Sequence, residues 1–402
     1  MPFLKRLFCL LLCIGLLGCG ITVSALSEAD DTEGLDEPLL PTSAAVIGQP
    51  LDIKAKSVIL LEPETGTVLY EDNADEGLPP ASITKIMSLL LTMEALDRGD
   101  FTLETVLTAS EHACSMGGSQ IWLEPGESMT VDDLLKATTV ASANDATVVF
   151  AEAVAGSEEG FVALMNERAE QLGMKNTHFV NSTGLDAEGH VSTARDVALM
   201  SAELIRHPLI KNYSTVWMDS LRDGKSELVN TNKLVRFYEG TTGLKTGTTS
   251  GAGYCLSATA NRNGMELVAV VMGGETSNDR FNGAKKLLDY GFANFTLATL
   301  DAELSSDRSL SVKDGVQNKV SLTAPDTLSL LMKKSGAKEV ERRVVLPKSV
   351  KAPVKKGDKV GCVELSVGGE SVGEIPILAA ETVGKIGFSV TLGWMMRGLL
   401  TN

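Results

Sequence analysis

The chain has 402 residues, 44% of them hydrophobic, enough to bury at least one large core and to argue for two or more domains. Its net charge of −16 is unevenly placed: Asp301 onward carries fifteen Lys/Arg against twelve Asp/Glu (+3), the leader carries +2, and residues 26–300 are left with −21. So acidic a main domain argues against nucleic acid as a partner, and the change of sign near residue 300 marks a domain boundary.

Residues 1–25 read as an export signal: Lys5 and Arg6, the apolar run Leu7–Leu17, then Val23-Ser24-Ala25 as a small-residue cleavage site. The competing reading takes Leu16-Leu17-Gly18-Cys19 as a lipidation motif on Cys19, although Leu17 is bulky for it. Both send the protein out of the cytoplasm. Residues 26–48 are acidic and turn-rich without a period, a flexible lead-in. The mature chain keeps Cys114, Cys255 and Cys362, widely spaced and no disulfide framework. The histidines at 112, 178, 190 and 207 form no close ligand pair, so neither a metal nor any other cofactor is expected.

A domain over 49–296 begins with KSVILLEPETGTVLYEDN, two β-rich runs around Pro63-Glu64-Thr65-Gly66 that predict a hairpin. From Ser82 to Glu170 apolar spacing is mainly helical, in ITKIMSLLLTMEAL, VDDLLKATTV, DATVVFAEAVAG and EEGFVALMNERAEQL. Ser192-Thr193-Ala194-Arg195-Asp196 starts a further helix, with a hydroxyl at the cap and an acid in the first turn. GYCLSATA and MELVAVVMGG then predict strands joined by an Asn263-Gly264 turn, and SNDRFNGAKKLLDYGFANF a helix. Strands at both ends with helices between them predict an α/β (α+β) domain whose sheet is assembled from both termini.

Residues 297–380 hold short alternating runs (KVSLTA, RRVVLP, KVGCVELSV, SVGEIPIL) separated by Gly, Pro and Lys, the pattern of a small β-sandwich. Residues 381–402 end in a stripe of Phe388, Leu392, Met395 and Leu399 with Trp394 beside it. Ile386 to Leu400 makes a helix of roughly 22 Å, short of a bilayer of about 30 Å, so an interfacial amphipathic anchor is expected; the alternative is a terminal helix packed on its own domain.

Chemistry enters at PPASITKIMSLL. Residues three apart share a helix face, so Ser82 and Lys85 present hydroxyl and amine to one pocket, and the apolar neighbours Ile83, Ile86, Met87, Leu89 and Leu90 desolvate it. Burial disfavours an ammonium, and a second nearby cation depresses its pKa further, so a neutral Lys85 can take the proton of Ser82. Taken singly, an SxxK is more readily an ordinary exposed lysine on an amphipathic helix. Ser142-Ala143-Asn144 follows in a loop between helical patterns, and Lys245-Thr246-Gly247 opens a strand-rich segment. The three motifs in that order are those of penicillin-binding proteins and serine β-lactamases.

With these motifs, and with LEPGESMTVDDLLKA and GMKNTHFVNSTGLD as spacers, the chain resembles the low-molecular-mass penicillin-binding proteins of the serine D-Ala-D-Ala carboxypeptidase type over nearly its whole length. The resemblance implies that Ser82 forms an acyl-enzyme on the penultimate D-Ala of a peptidoglycan stem peptide, with Lys85 as base. Ser142 would relay the proton, Asn144 hold the substrate amide and orient Lys85, and Lys245, Thr246 and Thr248 meet the terminal carboxylate. Backbone N–H groups of Ser82 and Thr248 would form the oxyanion hole, and Gly247 would let the strand approach the substrate. β-Lactams are the implied covalent inhibitors and the extracytoplasmic face of the bacterial cell membrane the implied location. Ser182 stands where the family pattern FxNPxGL has proline, a departure expected to touch loop rigidity more than chemistry; Thr248 varies in the family.

Three other readings stay open. A β-lactamase on this scaffold needs a water-activating glutamate; no ExxLN-like segment occurs between Asn144 and Lys245, although Glu167, Glu170 and Glu188 do. A non-catalytic sensor of β-lactam or peptidoglycan, or a transpeptidase, would keep the same residues.

Overall fold

The computed structural model describes residues 50–301, 308–325, 327–334 and 340–387. The export signal and all of the lead-in to residue 48 lie outside them. Strands β1 (Ser57–Glu62) and β2 (Thr67–Asp72) flank the Pro63–Gly66 turn as an antiparallel pair. All of β1 is buried, and its side chains alternate between two cores: Ile59 and Leu61 enter one, Val58 and Leu60 the other.

A 3₁₀ turn, Ala81–Thr84, leads into α1 (Lys85–Arg98). Next come α2 (Val131–Val140), α3 (Asn144–Ala155), α4 (Glu158–Gln171) and α5 (Ala194–Leu204). Thr130, Ser157 and Thr193 cap α2, α4 and α5, each accepting from the N–H three residues on; at α5 both the cap and first-turn Asp196 are those its sequence predicts. The stretch between α1 and α2 is less helical than expected. Val106–Thr108 pairs with Ser128–Thr130, and only Glu111–Cys114 makes a helical turn, because Gly117, Gly118, Pro125 and Gly126 break the apolar period.

Strands β3 (Thr241–Thr249), β4 (Gly253–Arg262) and β5 (Met265–Gly274) complete an antiparallel sheet in the order β2-β1-β5-β4-β3. Asn263 and Gly264, at φ 53° and 83°, turn β4 into β5 as a tight hairpin. The β1–β5 pairing joins the two ends of the domain. Helix α6 (Ser277–Asn294), started by a Thr276–Asp279 capping box, covers one face with Phe281, Leu287, Leu288 and Phe292; α1–α5 cover the other.

Beyond α6 the elements among the described residues are strands: β6 (Phe295–Asp301), β7 (Ser309–Lys313), β8 (Lys319–Thr323), β9 (Thr327–Lys333), β10 (Val340–Val345), β11 (Val350–Lys351), β12 (Lys359–Val367) and β13 (Glu370–Ala379). Six of them form a sheet in the order β10-β12-β13-β8-β7-β11, and β6 pairs with β9. Leu300 of β6 enters the core that Val320, Val363, Leu365, Ile375 and Ile377 build. The domain does not stop at residue 380: Val383 is fully buried and exchanges both backbone bonds with Val354, and Ile386 N–H donates to Asp314. Residues 381–386, expected in the tail, thus belong to the β domain because their backbone groups find partners there. The expected anchor stripe from Phe388 onward lies outside the described residues.

Candidate active site

Ser82 sits in the 3₁₀ turn at the mouth of α1, behind Ala81 held at φ 51°. The turn is wedged from two sides by glycines. A Cβ on Gly184 would stand 1.9 Å from the Ala81 carbonyl oxygen, and one on Gly247 would stand 2.9 Å from the Ser82 nitrogen, so neither backbone could approach with a side chain. The close approach expected of Gly247 toward substrate is here an approach to the turn that carries Ser82.

Lys85 is fully buried, and its Nζ donates to Ser82 Oγ at 3.2 Å and to the Thr183 carbonyl at 2.6 Å. Burial holds its pKa well below the ordinary lysine value, and the positive charge of Lys245 adds to this against the opposing pull of Asp145. The amine is therefore available as a base beside the hydroxyl.

Ser142 lies between α2 and α3, buried, at φ 63° in the left-handed region, a conformation worth roughly 1–2 kcal/mol of strain for a residue with a Cβ. Asn144 is the first residue of α3 rather than its cap; Ala143 holds the cap position. Its Nδ2 donates to Gly117 at 2.6 Å and its backbone N–H to Ser119 at 2.7 Å, while its buried Oδ1 has no partner. Asp145 accepts from the N–H groups of Ile121 and Leu123, fixing the same loop. The expected contact from Asn144 to Lys85 is not formed, since the amide is turned to Gly117.

Strand β3 brings Lys245, Thr246 and Gly247 to the same place. Lys245 is 1% exposed and, among the described residues, donates to the Thr246 carbonyl alone, at 3.1 Å; burial and the charge of Arg280 push its pKa down to about 7. Thr246 Oγ1 donates to Thr231 Oγ1 at 2.7 Å. Thr248 Oγ1 receives Arg280 Nη1 at 2.8 Å, and the same nitrogen reaches the carbonyls of Gly247 (3.0 Å) and Cys255 (3.3 Å).

Arg280 was not among the expected site residues. It is 8% exposed, stacked on Tyr254 and Phe281, with Nε buried and unpartnered. A signal for it exists in the sequence: a cation in the first turn of a helix opposes the helix dipole and calls for another use. The carbonyl of Thr183 was also missed. Its segment is shaped by Asn181, whose Oδ1 accepts from Thr183 N–H (3.2 Å) and Gly184 N–H (2.7 Å). The departure at Ser182, expected to matter for rigidity, is thus one residue from an atom that touches the Lys85 amine. Glu167, Glu170 and Glu188 are exposed.

A family model described as D-alanyl-D-alanine carboxypeptidase matches residues 43–276. The chain belongs to this family. Residues 292–385 match the C-terminal domain of penicillin-binding protein 5. D-alanyl-D-alanine carboxypeptidase DacF of Bacillus subtilis (strain 168) is 44% identical over 339 residues, 83% of this chain and 87% of the relative. DacC of Escherichia coli (strain K12) is 37% identical over 84% of this chain and 86% of its own. Among solved structures, penicillin binding protein 5 from Haemophilus influenzae aligns with a TM-score of 0.76 at 32% identity, over 84% of this chain and all 100% of that one. Ampicillin-bound penicillin-binding protein D2 from Listeria monocytogenes aligns at 0.56 and 33%, over 60% and 99%. The carboxypeptidase family and the two-domain architecture expected from the motifs are those found.

Proposed function

We propose that this family member removes the terminal D-Ala of peptidoglycan stem peptides by serine acyl transfer, with Ser82 as nucleophile and Lys85 as general base. The observation that carries the reading is a fully buried amine, held well below its ordinary pKa, 3.2 Å from the Ser82 hydroxyl. Neutral Lys85 takes the proton as Ser82 Oγ attacks the penultimate D-Ala carbonyl. Backbone N–H groups of Ser82 and Thr248 receive the oxyanion, supported by the tight seating of Gly247 on the Ser82 nitrogen. Ser142 returns a proton to the leaving D-Ala nitrogen, and the free Oδ1 of Asn144 accepts a substrate amide N–H. Lys245, Thr246, Thr248 and Arg280 hold the terminal carboxylate, whose charge draws a proton back onto Lys245. Water, activated by Lys85, then frees the enzyme.

β-Lactams enter the same acylation and stop there; the ampicillin- and cefotaxime-bound Listeria relatives support this. A substrate in the cell wall, the leader at residues 1–25 and the apolar stripe from Phe388 support an exported enzyme on the extracytoplasmic face of the cell membrane, held by its tail. The test is release of D-Ala from diacetyl-Lys-D-Ala-D-Ala, quantified by mass spectrometry beside Ser82→Ala. Release abolished in the variant is expected. No release by the wild type despite penicillin labelling of Ser82 would instead favour a sensor or a transpeptidase.

A further inference from the structure

Glu158 opens α4 with a side chain only 13% exposed and both oxygens engaged. Its Oε1 accepts the N–H of Ser182 at 3.0 Å and the Ser182 hydroxyl at 2.7 Å; Oε2 meets His112 Nε2 at 2.8 Å. Burial alone would raise the carboxyl's pKa, and the bonds from Ser182 and His112 together bring it below the ordinary value. Ser182 is wholly buried, and its carbonyl accepts from Ser88 Oγ at 2.6 Å; the next carbonyl, Thr183, accepts from Lys85 Nζ at 2.6 Å. Two successive carbonyls therefore land on two α1 residues one turn apart. Asn181 shapes the turn that follows, while Glu158 fixes where the segment sits.

We propose that Glu158 is a positioning residue for the general base: acting through Ser182, it holds the Thr183 carbonyl where that oxygen orients the Lys85 amine toward Ser82. A neutral lysine is a useful base only when its lone pair points at the proton it takes, and an N–H directed at Thr183 fixes that rotation. Proline at 182 would offer neither N–H nor hydroxyl to a carboxylate and would instead hold the backbone by its locked φ. In this chain the Glu158–Ser182 pair does the same work by hydrogen bonding. The inference rests on the Ser82–Lys85 reading above.

The test is stopped-flow acylation by a fluorescent penicillin, resolved into the noncovalent Kd and the acylation rate constant, for Glu158→Ala, Glu158→Gln and Glu158→Ala combined with Ser182→Pro. Glu158→Ala is expected to slow acylation roughly 10- to 100-fold with Kd changed less than about two-fold. Glu158→Gln keeps an acceptor for Ser182 and loses less than about ten-fold. The double variant, which no longer has an N–H to satisfy, recovers most of the rate. A folded Glu158→Ala that acylates at the wild-type rate, or that loses Kd and rate together, overturns the proposal. Should Glu158→Ala fail to fold, the double variant decides: folded and fast supports the proposal, folded and slow overturns it. Wild type that never becomes labelled at Ser82 would defeat the acyl-enzyme reading instead.

Discussion

The catalytic domain buries Lys85, Lys245, Asp145, Arg280 and the amide of Asn144; the β domain buries Val320, Val363, Leu365, Ile375 and Ile377 and, among the described residues, no polar side chain. Apolar burial, worth about 25 cal/mol per Å², is all that a stable core needs. A buried amine works against stability unless it is discharged or paired. Two lysines in one core, beside an arginine that opposes its own helix dipole, therefore mark the place where, on the proposed mechanism, stability is given up for chemistry.

The strongest way to break this contrast is Lys85→Met, which keeps the volume and removes the amine. Acylation by penicillin should fall roughly 10²- to 10⁴-fold, with thermal stability equal to or above that of the wild type. A variant that acylates within about ten-fold of wild type would remove Lys85 from the mechanism. Gly247→Ala comes next: its Cβ, 2.9 Å from the Ser82 nitrogen and 3.0 Å from Ala81 Cβ, drives β3 off the nucleophile turn. Acylation should drop about 100-fold with a loss of about 1–3 kcal/mol in denaturant unfolding.

The pH dependence of stability sharpens the comparison further. Lys245 titrates at about 7 in the fold against an ordinary 10.5, and Lys85 is shifted in the same direction. Between these values the unfolded chain binds protons that the fold refuses, so stability rises with pH across that window, and the penalty is complete below it. His190, buried and lowered to about 4 from 6.5, adds a further loss as pH falls through that range. Lys245→Met should flatten the slope between about pH 7 and 10, followed by urea midpoints; an unchanged slope would mean that the folded lysine stays charged. Among the described residues the β domain's core has no titratable group to contribute. Ile375→Val should therefore weaken it by about 1 kcal/mol at any pH and leave acylation untouched, the smallest effect of the four.

Much of the site was legible because its signals are local. Ser82 and Lys85 share a face through helical spacing, Thr193 and Asp196 announce α5, and Asn263-Gly264 turns β4 into β5. The need for a second cation near Lys85 followed from electrostatics, and Lys245 meets it. The less helical stretch before α2 was masked by apolar residues that serve loop and hairpin instead.

The sequence by itself determined most of the elements and their order, and which hydroxyl and amine share the helix mouth, because periodicity, caps and motif spacing act over a few residues. Only the tertiary structure decided that Lys85 leans on a carbonyl 98 residues away, that Arg280 reaches Thr248 of β3 from α6, and that residues 381–386 close the β domain. Those contacts depend on backbone carbonyls and buried charges whose partners are set by packing, and a carbonyl carries no residue type for a sequence to display.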